Sequence, residues 1–116
     1  MKLIDQVKNI QEESFQTWFT RWYAKQNLDK KIIQSAQKGY SGFKIEITDY
    51  YESENNFSKE RKYENRRLRD DRTVEKISNE LGEGFDVNYK KDVQKSKILS
   101  LEVTRASDWI EIRWGV

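Results

Sequence analysis

The beginning of the chain constrains the fold most strongly, because it carries the spacing of one long amphipathic helix. Apolar and aromatic side chains recur every three or four residues over 3–25, which is the period of a helix with a buried face. They are Leu3, Ile4, Val7, Ile10, Phe15, Trp18, Phe19, Trp22 and Tyr23. On a helical projection they spread over roughly 220°, about twice the arc that a surface helix usually buries. We therefore expect either two elements to cover this helix or part of it to contact a partner.

The next segment predicts a short second helix and then a strand. Asp29 is placed to cap a helix that runs through Ala36, and Gly39 lies where helices commonly end. Over residues 42–49, apolar and polar side chains alternate, which is the pattern of a half-buried strand.

A long charged excursion over about 50–72 follows, and neither the helical nor the strand period continues through it. We expect a loop or a solvated helix there, and its length points to a functional loop or to an undetected element. Asp70 or Asp71 can then cap a third helix over 73–81, which Gly82 would end.

Three strand patterns complete the chain, at 85–89, 99–103 and 109–114. The short connection at 106–108 favours an antiparallel hairpin between the last two strands. The last three strands then form an antiparallel meander. We predict an α+β fold with two N-terminal helices, one strand, the excursion, a third helix and the meander, the helices packing on one face of about four antiparallel strands. The length of 116 residues suits a single domain over 1–116.

The sequence contains no Cys, no His and no Pro, and these absences exclude several kinds of chemistry. Disulfides, thiolate nucleophiles and sulfur-based zinc sites need Cys. His is the usual general base near neutral pH and the commonest transition-metal ligand. We therefore expect a binding protein and not an enzyme, with no cofactor and no metal site. The lack of a long apolar run and the charged N-terminal residues predict a soluble, cytoplasmic protein without membrane contact.

Charge is distributed in blocks, although 22 Lys and Arg nearly balance 20 Asp and Glu. An acidic block within 45–58 contains no cation, and an arginine-rich segment at 59–72 follows it directly. A later basic stretch holds Lys90, Lys91, Lys95 and Lys97. The net charge of +2 therefore says little about any one surface.

The arginine-rich segment is the first candidate binding site. Guanidinium groups match phosphate and carboxylate geometry, and a tyrosine among them can stack on a base. The candidate residues are Arg61, Lys62, Tyr63, Arg66, Arg67, Arg69 and Arg72. They are suited to an acidic protein surface or to nucleic acid. Mixed charge of this kind is also typical of a solvated surface that pairs with its own carboxylates.

Two further clusters are candidates for contact with a partner. The aromatic end of the first helix, with Trp18, Phe19, Trp22 and Tyr23, is either the core of a small domain or a hydrophobic interaction face. An acidic surface with Asp49, Glu52 and Glu54 is either a solvated loop, a mimic of nucleic-acid phosphates or a set of ligands for a hard cation. No glycine shapes a metal-binding turn in this stretch.

A carboxylate-based nuclease is the enzymatic alternative, because it requires neither His nor Cys. Its closest sequence match is Glu111 and Arg113 in the last strand, with Asp86 or Glu102 upstream. Arginine cannot replace the lysine that exchanges a proton in such sites, so the residue chemistry disfavours a Mg²⁺-dependent nuclease.

The leading expectation is a small binding protein that acts by protein contact, as an inhibitor or adaptor of a nucleic-acid-handling machine. In size and composition the chain resembles small proteins of phages and mobile elements. Its richness in Lys, Asn, Ile and Glu is typical of a low-GC bacterium or its phage. The alternative is direct DNA or RNA binding by the arginine-rich segment 59–72, together with the later lysines.

Overall fold

The α+β class is confirmed by the computed structural model, which describes residues 2–47 and 59–115. The elements are α1 (Leu3–Gln26), α2 (Leu28–Gln37), β1 (Gly42–Ile47), α3 (Lys59–Leu68), α4 (Asp71–Leu81), β2 (Phe85–Ile98) and β3 (Leu101–Trp114). Within these described ranges, the strands form an antiparallel sheet in the order β1-β3-β2.

The core lies between the helices and one face of the sheet. Phe15, Phe19 and Trp22 of α1 are buried in one cluster with Ile110 and Ile112 of β3. The strand register aligns Phe43 with Ile112 and Ile45 with Ile110, so the apolar positions of β1 and β3 share the face that packs on the helices. The other members of the buried cluster are Leu28, Ile32, Ile47, Leu68 and Ile77.

The wide apolar arc predicted for α1 is divided along the helix axis. The C-terminal half is the part that enters the core. The N-terminal half leaves its apolar side chains exposed, with relative exposures of 73% for Leu3, 54% for Ile4 and 64% for Ile10. One helix therefore supplies both a core stripe and an uncovered apolar row.

The two predicted helix caps have different outcomes. Asp70 does cap α4, because its side chain accepts a hydrogen bond from the backbone N–H of Arg72 at 3.0 Å. The prediction that Asp29 caps the second helix is wrong. Asn27 lies between α1 and α2 in the left-handed conformation, at φ 51°, and Asp29 is already inside the first turn of α2. Asparagine tolerates this conformation better than most residues, so the reversal needs no glycine.

The second half of the charged excursion is helical. Helix α3 buries Asn65 and Leu68, each 2% exposed, so this helix is solvated on only part of its surface. Helix α3 has too few apolar side chains to produce a helical period in the sequence. Residues 48–58 lie outside the described part of the chain.

The C-terminal region differs from its prediction in where the chain turns. The predicted connection at 106–108 lies inside the continuous strand β3, and the separate strand expected at 99–103 does not form. The chain reverses instead at Leu99 and Ser100, with Ile98 paired to Leu101. Both turn residues have positive φ, 52° and 67°. Two-residue turns of this kind usually carry Asn-Gly, so the residue types Leu99 and Ser100 do not indicate a turn.

Candidate functional site

The most distinctive feature of the molecule is a two-stranded ribbon that continues beyond the sheet. Strand β1 pairs with β3 from Asp108 to Arg113. Beyond Asp108, the pairing within 2–47 and 59–115 is between β2 and β3 alone, from Asp92 with Ser107 to Ile98 with Leu101. At roughly 3.3 Å per residue, this ribbon is about 23 Å long. We call residues 92–107 the hairpin arm.

The hairpin arm projects from the core. Every side chain of the arm whose burial is described is exposed. The Cα radius of gyration is 17.4 Å, compared with roughly 13 Å for a compact chain of this length. The arm therefore offers both faces to a partner along most of its length.

A buried hydrogen-bond network holds the base of the arm. The guanidinium of Arg69 donates to the carboxylate of Asp108 from Nε at 2.6 Å and from Nη2 at 3.1 Å. The hydroxyl of Tyr89 donates to the same carboxylate at 2.7 Å. Asp108 is only 8% exposed. These bonds join the α3–α4 connection to both strands of the ribbon where it leaves the sheet.

The network also changes the acidity of its members. Burial raises the pKa of the Asp108 carboxyl. The hydrogen bonds from Arg69 and Tyr89 lower this pKa by more than burial raises it, so it lies below the ordinary value. Burial and the bond to Asp108 raise the pKa of Tyr89. At neutral pH, Asp108 is therefore the anion and Tyr89 the neutral donor.

Cations outnumber anions on the arm and at its base. The arm, residues 92–107, contains three cations and two anions, and Lys90 and Lys91 add two cations at its base, where Lys91 lies opposite Asp108. Lys91, Lys95 and Lys97 alternate along β2 and so share one face of the ribbon. Glu102 lies opposite Lys97 on this face, and Thr104 lies opposite Lys95. The ribbon thus presents a line of lysines to solvent.

The tip of the arm is apolar. Leu99 is 92% exposed and Leu101 is 69% exposed. Ile98, which pairs with Leu101 across the ribbon, is 54% exposed. We call these three residues the apolar tip.

Several of the seven predicted basic-segment residues make contacts within the chain. Arg69 bonds Asp108, as described above. Arg67 donates to Ser14 Oγ at 2.9 Å and to the Tyr63 hydroxyl at 2.7 Å. Arg72 pairs with Asp70 at 2.7 Å and with Glu12 at 3.2 Å.

The guanidinium carbons of Arg67 and Arg72 also lie 5.9 Å and 4.4 Å from the centroid of the buried Phe15 ring. These two arginines therefore pack α3 and the start of α4 onto α1. The structure thus brings these two arginines to the protein's own surfaces. The other predicted residues of the basic segment, Arg61, Lys62, Tyr63 and Arg66, lie on α3.

A groove of about 970 Å³ separates α1 from α3 and contains part of this α3 set. Tyr63 and Arg66 line it, and the stacked rings of Trp18 and Trp22 form part of its wall. Trp22 Nε1 donates to Glu64 at 3.3 Å across it. Both signs of charge line the groove, with Glu13 and Glu64 against Arg21, Lys25, Lys59 and Arg66.

The predicted aromatic interaction face is corrected by the structure. Phe19 and Trp22 are 4% and 5% exposed, so they belong to the core and are not available to a partner. Trp18 and Tyr23 are half-buried beside them. Of the four predicted aromatic residues, Trp18 and Tyr23 are the two that leave a substantial part of their rings exposed. A thin domain uses its large side chains to fill the core.

The acidic candidates Asp49, Glu52 and Glu54 lie outside the described residues. Of the residues of the nuclease alternative, Asp86 lies opposite Arg113 across the β2–β3 pair, and Glu111 shares this face of the sheet. Glu111 pairs with Arg113 at 3.6 Å, and Glu102 lies nine residues away near the tip of the arm. Within 2–47 and 59–115, no group of three or more His, Cys, Asp or Glu side chains is arranged to hold a metal ion.

Comparison with known proteins assigns no function to this geometry. No protein-family model matches the chain, and neither a curated protein nor a solved structure matches it. Of the helices in the described ranges, none combines the length and the apolar character that crossing a bilayer requires.

Sequence reasoning recognised the lysines of the arm but missed the arm itself. One signal was present, since residues 89–98 contain no Gly, Pro or Asn to end a strand. The small polar residues at 106–108 resembled a turn more strongly than Leu99 and Ser100 did. The sequence pattern therefore predicts two strands, at 99–103 and 109–114, where the structure has the single strand β3.

Proposed function

We propose that this protein binds nucleic acid directly and that the basic hairpin arm makes the principal contact. The observation that supports this function is the placement of Lys91, Lys95 and Lys97 on one face of a narrow, projecting ribbon. Lysine and arginine neutralise backbone phosphates and release condensed counterions. Two-stranded ribbons are also among the elements with which proteins enter the major or the minor groove of duplex DNA.

The placement of the lysines favours an extended polyanion. Lys97 lies beside the tip and Lys91 lies at the base on the same face, about 20 Å away at 3.3 Å per residue. A flat anionic surface that meets the tip would reach only the nearer lysines. A nucleic-acid strand that follows the ribbon would contact the whole line.

The base of the arm supports the same function. A free two-stranded hairpin is marginally stable in water, and it would lose conformational entropy on binding. The bonds of Asp108 to Arg69 and Tyr89 fix the direction of the ribbon before any partner arrives. This preorganisation reduces the entropic cost of contact.

Fluorescence anisotropy with a labelled 20-base-pair duplex tests the proposal. The test variant is Lys95→Ala with Lys97→Ala, and the matched control is Lys8→Ala with Lys30→Ala, two exposed helical lysines. We expect the test variant to bind at least tenfold more weakly at low salt, because two phosphate contacts are lost. Equal binding by both variants would contradict the assignment of the arm.

The exposed apolar row of α1 favours a second candidate, contact with a protein partner. Leu3, Ile4 and Ile10 are uncovered, and such rows are typical of helices that dock into grooves. In this case the protein would act in the cytoplasm of a low-GC bacterium or of its phage's host, as an inhibitor or adaptor of a nucleic-acid-handling machine. Affinity capture from a bacterial lysate tests this candidate. A partner that survives nuclease treatment and is lost with Ile4→Ser plus Ile10→Ser supports it, and a capture abolished by nuclease contradicts it.

A further inference from the structure

We propose that the apolar tip is a wedge that inserts between adjacent base pairs of duplex DNA and bends the duplex. This inference rests on the proposed function, because the lysines of the arm deliver the tip to the groove. It assigns a role to Ile98, Leu99 and Leu101, which the folding of the chain leaves unexplained.

The backbone at the tip disfavours the residue that occupies it. Leu99 has φ 52° and Ser100 has φ 67°, and two-residue turns of this type strongly prefer Asn-Gly. A bulky side chain at positive φ is unusual and disfavoured. A sequence chosen only to close this hairpin would not place leucine there.

Packing does not explain the leucine either. Leu99 is 92% exposed, so its side chain contributes almost nothing to the core. Unfavourable backbone conformations that no packing requires are concentrated at functional sites. With Ile98 and Leu101, this residue forms a continuous apolar end on an otherwise polar arm.

The surroundings of the tip indicate which partner the wedge meets. Leucine and isoleucine are among the side chains that proteins insert between base steps, which unstacks the bases and kinks the duplex. Lys97 and Lys95 follow the tip along one face, where they can contact the phosphates that flank an opened step. The lysines continue to the base of the arm, which suits a groove better than a lipid surface met only by the tip.

The decisive variant replaces the turn with Leu99→Asn and Ser100→Gly. This change removes the wedge and supplies the dipeptide that the turn prefers, so the hairpin is kept. We expect an unchanged or higher melting temperature. A melting temperature below that of the wild type would contradict the argument that leucine is disfavoured at the turn.

Bending is measured by energy transfer between dyes at the two ends of a 20-base-pair duplex. We expect the wild type to increase the transfer efficiency and the turn variant to lose this increase, while the salt dependence of its binding stays the same. The matched control is Ile33→Asn, which removes an apolar side chain that is 58% exposed on α2. This control should bend the duplex as the wild type does.

The outcomes separate the wedge from the proposed function. Wild-type binding without bending, or full bending by the turn variant, overturns the wedge and leaves phosphate binding by the arm intact. If the wild type binds no duplex, both proposals fail. Binding of the wild type, but not of the turn variant, to phosphatidylglycerol vesicles in that case would reassign the tip to a lipid surface.

Discussion

The guanidinium of Arg69 and the carboxylate of Asp108 form a two-bond pair at the point where strand β3 leaves the three-stranded sheet. On one side of Asp108 the strand is covered by helices and paired on both edges. On the other side its one partner among the described strands is β2, and the side chains whose burial is described are exposed. This pair therefore connects the packed part of the protein to the arm that we propose as its binding element.

Removal of the charge on Asp108 tests the importance of this connection. Asp108→Asn should lower the free energy of unfolding by about 2 kcal/mol, because hydrogen bonds to a charged, buried group are lost. Urea denaturation measures the change. Glu111→Gln is the control, since its partner Arg113 is largely exposed, and it should cost less than about 0.5 kcal/mol. Equal effects of the two variants would contradict an anchoring role.

The same pair predicts a dependence of stability on acid pH. The folded pKa of Asp108 lies below the ordinary value of 3.8, so its stabilising contribution is present above that value and is lost as pH falls through the folded pKa. The difference in melting temperature between the wild type and Asp108→Asn should therefore shrink below about pH 4. A difference that stays constant from pH 7 to pH 2.5 would show that the carboxylate charge is not the cause.

Arg72 should be a structural residue even though it lies in the predicted basic site. Arg72→Ala removes its bonds to Asp70 and Glu12 and its stacking on Phe15, so we expect a loss of about 1–2 kcal/mol in stability. Its effect on duplex affinity should be no larger than that of Lys62→Ala, an exposed neighbour. Weaker duplex binding at unchanged stability would instead assign Arg72 to a phosphate.

Glu102 provides a test by gain of binding. It lies opposite Lys97 on the lysine face of the arm, where it competes with phosphate for the ammonium group. Glu102→Gln should tighten duplex binding by about threefold or more and steepen its salt dependence. The comparison variant is Glu75→Gln on the exposed surface of α4. If Glu102→Gln weakens binding, the lysine face is not the contact surface.

The parts of the fold that the sequence predicted are those governed by local rules. Helix α1 follows from the spacing of its aromatic residues, and the start of α4 follows from Asp70, whose side chain bonds a backbone N–H two residues away. Both signals lie within a few turns of chain.

The parts that escaped prediction depend on contacts between distant residues. Arg69 appeared to be one of seven similar cations, because its partner Asp108 is 39 residues away. Phe19 could belong to a core or to an interface until the positions of β1 and β3 were known. The turn at Leu99 and Ser100 breaks the usual preference for glycine and asparagine, so its conformation could not be inferred from residue type.

The salt dependence of duplex binding is the most direct test of the central claim that the hairpin arm binds nucleic acid. If the three cations of the arm and the two lysines at its base, Lys90 and Lys91, contact phosphates, a plot of log K against log salt concentration should have a slope between about −3 and −4.5. In Lys95→Ala with Lys97→Ala, the slope should become shallower by about 2. A wild-type slope near zero, or one that this double variant leaves unchanged, would contradict the claim.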